Sequence, residues 1–249
     1  MKTAQFEFDE GLAVLLGRSM RSGPFEYSFS GPQSVKHLIE SLGVPHTEIG
    51  EVHCGDQRVA LDYQVQSGDA IKVQSTPPGG WGNEEPRFAL DGHLGRLSAS
   101  LRMLGFDCLY ESNFEDEALA KVAIADGRYL LTRDRHLLMR KSVVLGYLVR
   151  SLDPNDQLSE VTRRFALVPM FHPFRRCIRC NTLLQPVEKA AVIDRLQPLT
   201  RRYFETFHIC PRCGQIYWQG SHVDRMLELI AKLRWEATQE GDSRRPAST

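Results

Sequence analysis

The sequence predicts a multidomain protein of mixed α/β and α+β class, with a small β-rich module, a parallel-sheet α/β domain and a cysteine-rich module. Three observations support this prediction. Short strand patterns that alternate apolar and polar residues fill the first 78 residues. Strand and helix patterns then alternate from Arg87 to Phe165, which is typical of a parallel sheet with crossover helices. Two Cys-x-x-Cys pairs follow between residues 171 and 220.

The composition is that of an ordinary globular protein. The chain has 249 residues, 42% hydrophobic and 25% charged, which is enough for more than one domain. No apolar run approaches the roughly 18 residues of a membrane span. The first ten residues lack the basic leader and apolar core of a signal peptide. We therefore expect a cytoplasmic protein with no membrane partner.

The N-terminal module, residues 1–78, has the element order ββαββ. Phe6 and Phe8 alternate with polar neighbours, as in a half-buried strand. Ser34 is a natural N-cap for an amphipathic helix that Gly43 ends. A hairpin over residues 65–73 is expected to close the module. This order is typical of a β-grasp fold and resembles the ubiquitin-like sulfur carriers of the MoaD type.

A Pro/Gly-rich segment, residues 79–86, is expected to be a linker. Its Gly79-Gly80 pair is similar to the diglycine tail of the sulfur carriers, but here the pair is internal. Activity as a carrier would therefore need cleavage after Gly80. A flexible linker is the alternative that we favour.

The α/β domain is expected to cover residues 87–170. Its strands are predicted at Phe88–Leu90, Phe106–Tyr110, Tyr129–Thr132 and Tyr147–Val149. Its helices are predicted at 94–104, at 115–126, from Arg135 and at 155–165. In an open sheet of this kind, groups at the carboxyl ends of strands meet in one crevice.

Three aspartates occupy such positions. Asp91 and Asp134 follow the first and third strands, and Asp116 lies in the first turn of a helix. Each alone has a simpler explanation, since Asp91 and Asp134 could be helix N-caps and Asp116 could complement a helix dipole. Three carboxylates brought together cannot all stay charged and unpaired. Together they predict a divalent-cation site and metal-dependent phosphodiester chemistry.

The cysteine pairs have the spacing of a zinc site. The four residues are Cys177, Cys180, Cys210 and Cys213. In a cytosolic chain, this spacing indicates a four-thiolate zinc ribbon rather than disulfides. Such a tetrahedral site is closed to substrate and therefore structural. Cys54 and Cys108 lie in apolar patterns and are expected to be buried small hydrophobes.

The ribbon is expected to cover residues 171–236 together with a closing amphipathic helix over 221–235, whose apolar face includes Met226 and Ile230. The polar tail, residues 237–249, is expected to be disordered.

Charge is unevenly distributed along the chain. Residues 1–86 carry 6 Lys/Arg and 12 Asp/Glu, a net of −6, whereas residues 161–220 carry 10 and 3, a net of +7. A basic region with interleaved aromatic residues suits RNA, because Arg contacts phosphate and aromatic rings stack on bases. A solvated basic face, with the aromatic residues forming the core of the ribbon, is the alternative.

The motifs resemble a known family. Asp91, Asp116 and the run Thr132-Arg133-Asp134 are similar to the acidic pattern of PIN-like ribonucleases. The stretches 91–97, 101–107 and 131–135, read as DGHLGRL, LRMLGFD and LTRDR, resemble more closely the C-terminal RNase domain of the Mut-seven exonuclease. Bacterial members of that family have a ubiquitin-like domain, the PIN-like domain and a zinc ribbon, so the resemblance covers nearly the whole chain.

The resemblance implies hydrolysis of RNA phosphodiesters with Mg²⁺ or Mn²⁺. It implies Asp91, Asp116 and Asp134 as ligands of the cation, which is held through oxygen atoms. A fourth acid often completes such sites. Asp153 is the best candidate, with Asp156 as the alternative.

Basic residues near both sites are candidate RNA contacts. Beside the acids these are His93, Arg96, Arg133 and Arg135, and around the cysteines they are Arg175, Arg176, Arg179 and Arg212. Arg suits bidentate contact with phosphate. Surface pairing with nearby acids is the alternative.

We therefore predict a metal-dependent ribonuclease with RNA as substrate, and the β-grasp module is the surface where a protein partner would bind. One alternative is a non-catalytic RNA- or protein-binding adaptor. A weaker alternative is a protein linked to sulfur-carrier chemistry.

Overall fold

The computed structural model describes residues 1–79 and 85–243. The strands are β1 Lys2–Phe8, β2 Phe25–Phe29, β3 Ile49–Cys54, β4 Gln57–Arg58, β5 Ala70–Ser75, β6 Phe88–Leu90, β7 Cys108–Tyr110, β8 Tyr129–Thr132, β9 Gly146–Leu148, β10 Gln185–Val187, β11 Phe207–Ile209 and β12 Ile216–Trp218. The helices are α1 Glu10–Ala13, α2 Val35–Ser41, α3 Gly95–Met103, α4 Asp116–Ala125, α5 Arg135–Leu138, α6 Pro154–Arg164, α7 Lys189–Val192, α8 Pro198–Tyr203 and α9 Ser221–Ser243. The strands form three sheets, and the predicted fold class is confirmed.

The first sheet is mixed and β-grasp-like. Its strand order is β2-β1-β5-β3-β4, with β1 parallel to β5 and antiparallel to β2. Ser34 caps α2 as expected, because its side chain accepts a hydrogen bond from the backbone N–H of His37. Phe6 of β1, Ile71 of β5 and Ile39 of α2 are fully buried in the core of this module.

The expected hairpin over residues 65–73 is wrong. Only its second half is a strand, and this strand, β5, pairs with β1 and β3 instead of with residues 65–69. The side chain of Asp69 accepts hydrogen bonds from the Gln66 N–H and from the Tyr63 hydroxyl, which fixes a turn before the strand. A short apolar-polar alternation before a Gly-Asp turn was therefore not enough to predict a strand.

The central sheet is the parallel α/β sheet that the alternation predicts. Its order is β7-β6-β8-β9, and Leu131 of β8 pairs with Tyr147 of β9 in parallel register. The bounds of β6 and β8 agree with those predicted. Both strands are short and almost wholly buried, as expected of a sheet covered on both faces.

By their internal contacts, the residues fall into two compact units. The first consists of Met1–Pro78, Ala89–His93 and Ser112–Arg150, and the second of Gly79–Phe88, Leu94–Glu111 and Ser151–Thr249. The first unit therefore joins the β-grasp module to part of the α/β domain. The second contains the cysteines.

Within the first unit, polar side chains connect the β-grasp module to β9 and α5. The carboxylate of Glu48 is 3% exposed and accepts hydrogen bonds from the Leu148 N–H at 2.6 Å and from the Arg150 guanidinium at 3.0 Å. The guanidinium of Arg135 donates to the carbonyl oxygens of Leu15 and Gly43. The module is therefore packed as part of this unit.

The second unit has an aromatic core and the third sheet. Phe88 lies 5.0 Å from Phe165 and 6.2 Å from Phe106 between ring centroids, both in edge-to-face geometry. Strands β10, β11 and β12 form an antiparallel sheet in that order.

The final helix is longer than expected. It continues to Ser243, beyond residue 236, where the sequence suggested that a disordered tail would begin. Residues 244–249 of that tail, like residues 80–84 of the expected linker and its Gly80, lie outside the described residues. In the described ranges, no helix combines the length and apolarity needed to cross a membrane.

Candidate functional site

The end of β8 brings two of the predicted acids together. Thr132, the last residue of this strand, is fully buried. Its hydroxyl donates a hydrogen bond of 2.7 Å to Oδ2 of Asp91 and accepts one of 2.9 Å from the backbone N–H of Asp134. The buried Thr132 hydroxyl therefore contacts the carboxylate of Asp91 and the backbone of Asp134, at the carboxyl ends of neighbouring strands.

The position of Asp91 is set by the backbone around it. Its N–H donates to the carbonyl oxygen of Leu131, which continues the sheet beyond β6, and its Oδ1 accepts from the His93 N–H at 3.3 Å. The next position favours glycine, because a Cβ atom on Gly92 would lie 2.9 Å from the carbonyl oxygen of Ser112. The chain thus turns sharply after the strand and leaves the half-buried carboxylate at the turn.

Asp134 is the N-cap of α5. Its Oδ1 accepts a hydrogen bond of 2.8 Å from the His136 N–H, and its side chain is exposed. The capping role that the sequence allowed for Asp134 is therefore real. A cap uses one carboxylate oxygen and leaves the other for a further ligand.

Asp116 begins α4 as predicted, but its carboxylate faces a cation. Its Oδ2 lies 3.7 Å from the guanidinium of Arg140, and both side chains are about half exposed. Within the described ranges, the four cysteines are the only group of three or more potential metal ligands that converge. The structure therefore brings Asp91 and Asp134 together around Thr132 and leaves Asp116 beside Arg140.

The proposed fourth acid belongs to the second unit. Asp153 is the N-cap of α6 and accepts hydrogen bonds from the N–H groups of Asn155 and Asp156. Asp153 is exposed at the cap, and Asp156 is exposed in the first turn. The choice between Asp153 and Asp156 as a ligand stays a prediction.

The predicted RNA contacts divide into two groups. Five of the side chains are exposed, namely His93, Arg96, Arg133, Arg179 and Arg212. The other three have protein partners: Arg135 the carbonyl groups already described, Arg175 the carboxylate of Glu85, and Arg176 the carboxylate of Asp107 and the Asn181 carbonyl. Contact of any of these eight residues with RNA stays a prediction.

The four cysteines form a compact cluster. Their sulfur atoms all lie within 4.8 Å of one another, with 3.6 Å between Cys177 and Cys213 and 3.4 Å between Cys180 and Cys210. A tetrahedral zinc ion with Zn–S bonds of about 2.3 Å places its sulfur ligands about 3.8 Å apart. The distances and the thiol donors therefore fit zinc, and the cluster could bind a structural zinc ion.

Each cysteine pair lies on a turn that points its sulfur atoms inward. In the second turn the Gly214 N–H donates to the Cys210 carbonyl, and in the first the Asn181 N–H donates to the Cys177 carbonyl. Gly214 and Asn181 both have left-handed backbone, with φ of 70° and 65°. Asn is among the few non-glycine residues that adopt this conformation readily. The two turns are therefore equivalent, although only the second has glycine.

Hydrogen bonds within the cluster favour a charged thiolate at Cys180. Burial raises the pKa of this thiol, but hydrogen bonds with Thr182 and neighbouring cysteines lower it more strongly, to about 6. The thiolate is the form that binds metal.

Arg102 connects the first cysteine turn to the rest of the second unit, a role that the sequence did not suggest. This residue is 5% exposed, and its guanidinium donates to the carbonyl oxygens of Cys108, Ile178 and Arg179 over 2.7–3.1 Å. Asn181 completes the connection by accepting from the Cys108 N–H. The sequence signal for this role is the position of the arginine between the apolar residues Leu101 and Leu104.

The aromatic residues of the ribbon have different environments. Phe207 is 1% exposed and belongs to a small core with Val192 and Ile216, whereas Tyr203 is 64% exposed. Part of this set is therefore the core of the ribbon, and part faces solvent.

Comparison with known families identifies both parts of the chain. A family model described as the Mut7-C RNAse domain matches residues 86–230, and one described as Mut7-C ubiquitin matches residues 1–77. No curated protein and no solved structure matches the chain. The resemblance noted from the sequence motifs is thereby confirmed.

Proposed function

Because the chain belongs to the Mut7-C RNase family and carries its ubiquitin-like N-terminal domain, we propose that it hydrolyses RNA phosphodiester bonds at the Asp91–Thr132–Asp134 site. The observation that carries this proposal is the hydroxyl of Thr132, which links Asp91 to the Asp134 backbone. A buried hydrogen bond of this kind fixes where a carboxylate points, and an active site needs such orientation.

Carboxylate oxygens suit a hard cation such as Mg²⁺ or Mn²⁺. Bound at this site, the ion would lower the pKa of a water molecule and neutralise charge that develops on the phosphate. Asp91 and Asp134 would supply the first ligands. Asp116 joins the set in our proposal by giving up its 3.7 Å contact with Arg140, which is weak because both groups are exposed.

Exposed basic residues would hold the RNA strand. His93 lies two residues after Asp91, and Arg133 directly precedes Asp134, so both are near the site along the chain. Arg179 and Arg212 are exposed on the cysteine turns. Guanidinium groups position phosphates without reading sequence. The cysteine cluster, with zinc bound, would keep this second surface folded.

Cleavage of labelled RNA in Mn²⁺ or Mg²⁺ tests the proposal. We expect the wild type to cut, and Asp91→Asn and Asp134→Asn each to lose cutting while remaining folded and loaded with zinc. Glu117→Gln is the matched control, because it removes a 70% exposed carboxylate beside Asp116. Equal cutting by all four proteins would contradict the assignment.

A non-catalytic RNA-binding adaptor is the second candidate. The observation that favours it is the contact of Asp116 with Arg140, which separates this acid from the other two. An adaptor would bind RNA with the same affinity in the wild type and in both aspartate variants and would cut nothing in either metal.

A further inference from the structure

The second unit contains a cavity of about 620 Å³ that neither the carboxylate site nor the cysteine cluster explains. Its wall includes Phe174 and Ile178 near the first cysteine turn, Leu199 and Phe204 around α8, and Trp218 at the end of β12. This volume falls in the range of small-ligand sites. We refer to it as the aromatic cavity.

The chemistry of the wall suits a flat, neutral ring. Four aromatic side chains contribute, namely Phe174, Phe204, Tyr217 and Trp218. The hydroxyl of Thr200 adds a hydrogen-bonding group, and so does the amide of Gln215, which already accepts from Arg179 and donates to the Ile216 carbonyl. None of the lining residues in the described part of the chain is charged. A nucleobase has the matching properties, since it stacks on aromatic faces and has hydrogen-bonding edges.

Two of the rings are held in place. The Tyr217 hydroxyl lies 3.2 Å from the Cys177 sulfur and accepts a hydrogen bond from the Ile178 N–H. Phe174 has a left-handed backbone with φ of 62°, which is rare for a bulky residue. Its ring stacks against His208 at 6.2 Å. The rings are thus positioned before any ligand arrives, and Phe174 is placed there despite backbone strain.

One cation contacts the wall of the cavity, and two more directly follow a lining residue along α8. The Arg179 guanidinium donates to the Gln215 side chain at 3.2 Å, and Arg179 is exposed. Arg201 and Arg202 are exposed on α8, directly after the lining residue Thr200. An uncharged aromatic pocket with an arginine on its wall and two more close to it along the chain is complementary to one base of a strand and to the phosphates beside it.

We propose that the aromatic cavity binds an unpaired nucleobase of single-stranded RNA, with Arg179, Arg201 and Arg202 contacting the flanking phosphates. This inference rests on the proposed function, because it takes RNA as the ligand. It adds a substrate class, since a base held in duplex RNA is not free to enter the cavity.

Fluorescence of Trp218 tests the proposal directly. The full-length, zinc-loaded protein would carry Trp81→Phe and Trp235→Phe, so that Trp218 is the only tryptophan. The probes are a tetranucleotide RNA and an abasic backbone of the same length and charge, without Mg²⁺ or Mn²⁺. We expect the RNA to quench Trp218 and to bind about 5- to 150-fold more tightly than the abasic backbone.

Variants locate the binding. Phe174→Leu should reduce the preference for bases to less than twofold, and Phe174→Tyr, which keeps an aromatic ring, should retain it. Leu199 is 69% exposed, so its substitution leaves the fold intact even if Phe174→Leu does not. Leu199→Glu should weaken RNA binding at least fivefold, whereas Val144→Glu, at a 72% exposed residue that does not line the cavity, should change it less than twofold.

The proposal would be overturned if the protein bound RNA and the abasic backbone with equal affinity. It would also be overturned if RNA did not quench the fluorescence of Trp218. Quenching that varies with protein concentration but not with RNA concentration would overturn it too, because it would indicate contact between two copies of the chain. A parallel cleavage assay on the same protein separates the two claims. Cutting without a preference for bases would contradict base binding in the cavity but support the nuclease. A preference for bases without cutting would support base binding and contradict the nuclease.

Discussion

The hydroxyl of Thr132 lies 2.7 Å from Oδ2 of Asp91, although the two residues are 41 positions apart in sequence. Thr132 is fully buried, and Asp91 is half-buried. A hydrogen bond to a charged group contributes about 1.5–3 kcal/mol, more than one between neutral groups. The orientation of Asp91 therefore depends on this threonine.

Replacing Thr132 should reduce RNA cleavage. Thr132→Val keeps the side-chain shape but removes the donor to Asp91, and we expect roughly 10- to 100-fold slower cleavage from the loss of this bond. Thr132→Ser keeps the hydroxyl and should stay within about threefold of the wild type. Single-turnover cleavage in Mn²⁺ measures both variants. If Val and Ser were equally active, Thr132 would have no positioning role.

Local patterns predicted most elements, because they depend on neighbouring residues. The apolar runs before Asp91 and Asp134 gave the bounds of β6 and β8, and Ser34 marked the start of α2. The two Cys-x-x-Cys pairs predicted a cluster that the structure assembles.

Long-range contacts could not be predicted in this way. Glu48 meets Arg150 across 102 residues, and Arg102 meets Ile178 across 76. No local periodicity encodes such a pair. The same limit applies to Arg135, whose partners Leu15 and Gly43 lie in another module and were not predicted.

Loss of the Glu48 carboxylate should destabilise the first unit. Glu48→Ala leaves the Leu148 N–H and part of the Arg150 guanidinium without this acceptor. Breaking a fully buried pair costs about 3–5 kcal/mol. Because Arg150 is 32% exposed, we expect a loss of about 2–3 kcal/mol in the free energy of unfolding, measured in urea.

Glu51→Ala is the matched control for Glu48→Ala. Glu51 is 43% exposed and pairs with Arg58, which is 67% exposed, so its loss should cost less than about 1 kcal/mol. Similar midpoints for the two variants would show that the contact of Glu48 with β9 does not stabilise the unit.

Arg133 and Arg135 should behave oppositely, although only Asp134 separates them. Arg133 is exposed, so Arg133→Ala should weaken RNA binding. For single-stranded RNA, the slope of log binding constant against log salt concentration should become shallower by about 0.7. Arg135 donates to the carbonyl groups of Leu15 and Gly43, so Arg135→Ala should instead lower stability by about 1–3 kcal/mol.

Binding in a salt series and unfolding in urea, on both variants, test this pair. If Arg135→Ala left the stability unchanged and reduced the salt slope, Arg135 would be a contact for RNA rather than a stabilising residue. The same measurements on wild type give the reference slope.

Arg102 should control how firmly the cysteine cluster keeps zinc. Its guanidinium donates to the carbonyl oxygen of Cys108 and to that of Arg179 in the first cysteine turn, and so connects the two segments. Lysine has the same charge but cannot direct three donors in one plane. Loss of a residue that orients metal ligands typically costs 10- to 100-fold in metal affinity. We therefore expect Arg102→Lys to release zinc about 10- to 100-fold faster to a chromogenic chelator.

Arg179→Lys is the control, because Arg179 is exposed and its guanidinium donates to the side chain of Gln215 rather than to the backbone of the cysteine turn. Its zinc release should match that of the wild type. Since the four sulfur atoms already lie within 4.8 Å of one another, a faster release in Arg102→Lys alone would come from a looser turn rather than from a lost ligand. Equal release from all three proteins would mean that the thiolates hold zinc without help from Arg102.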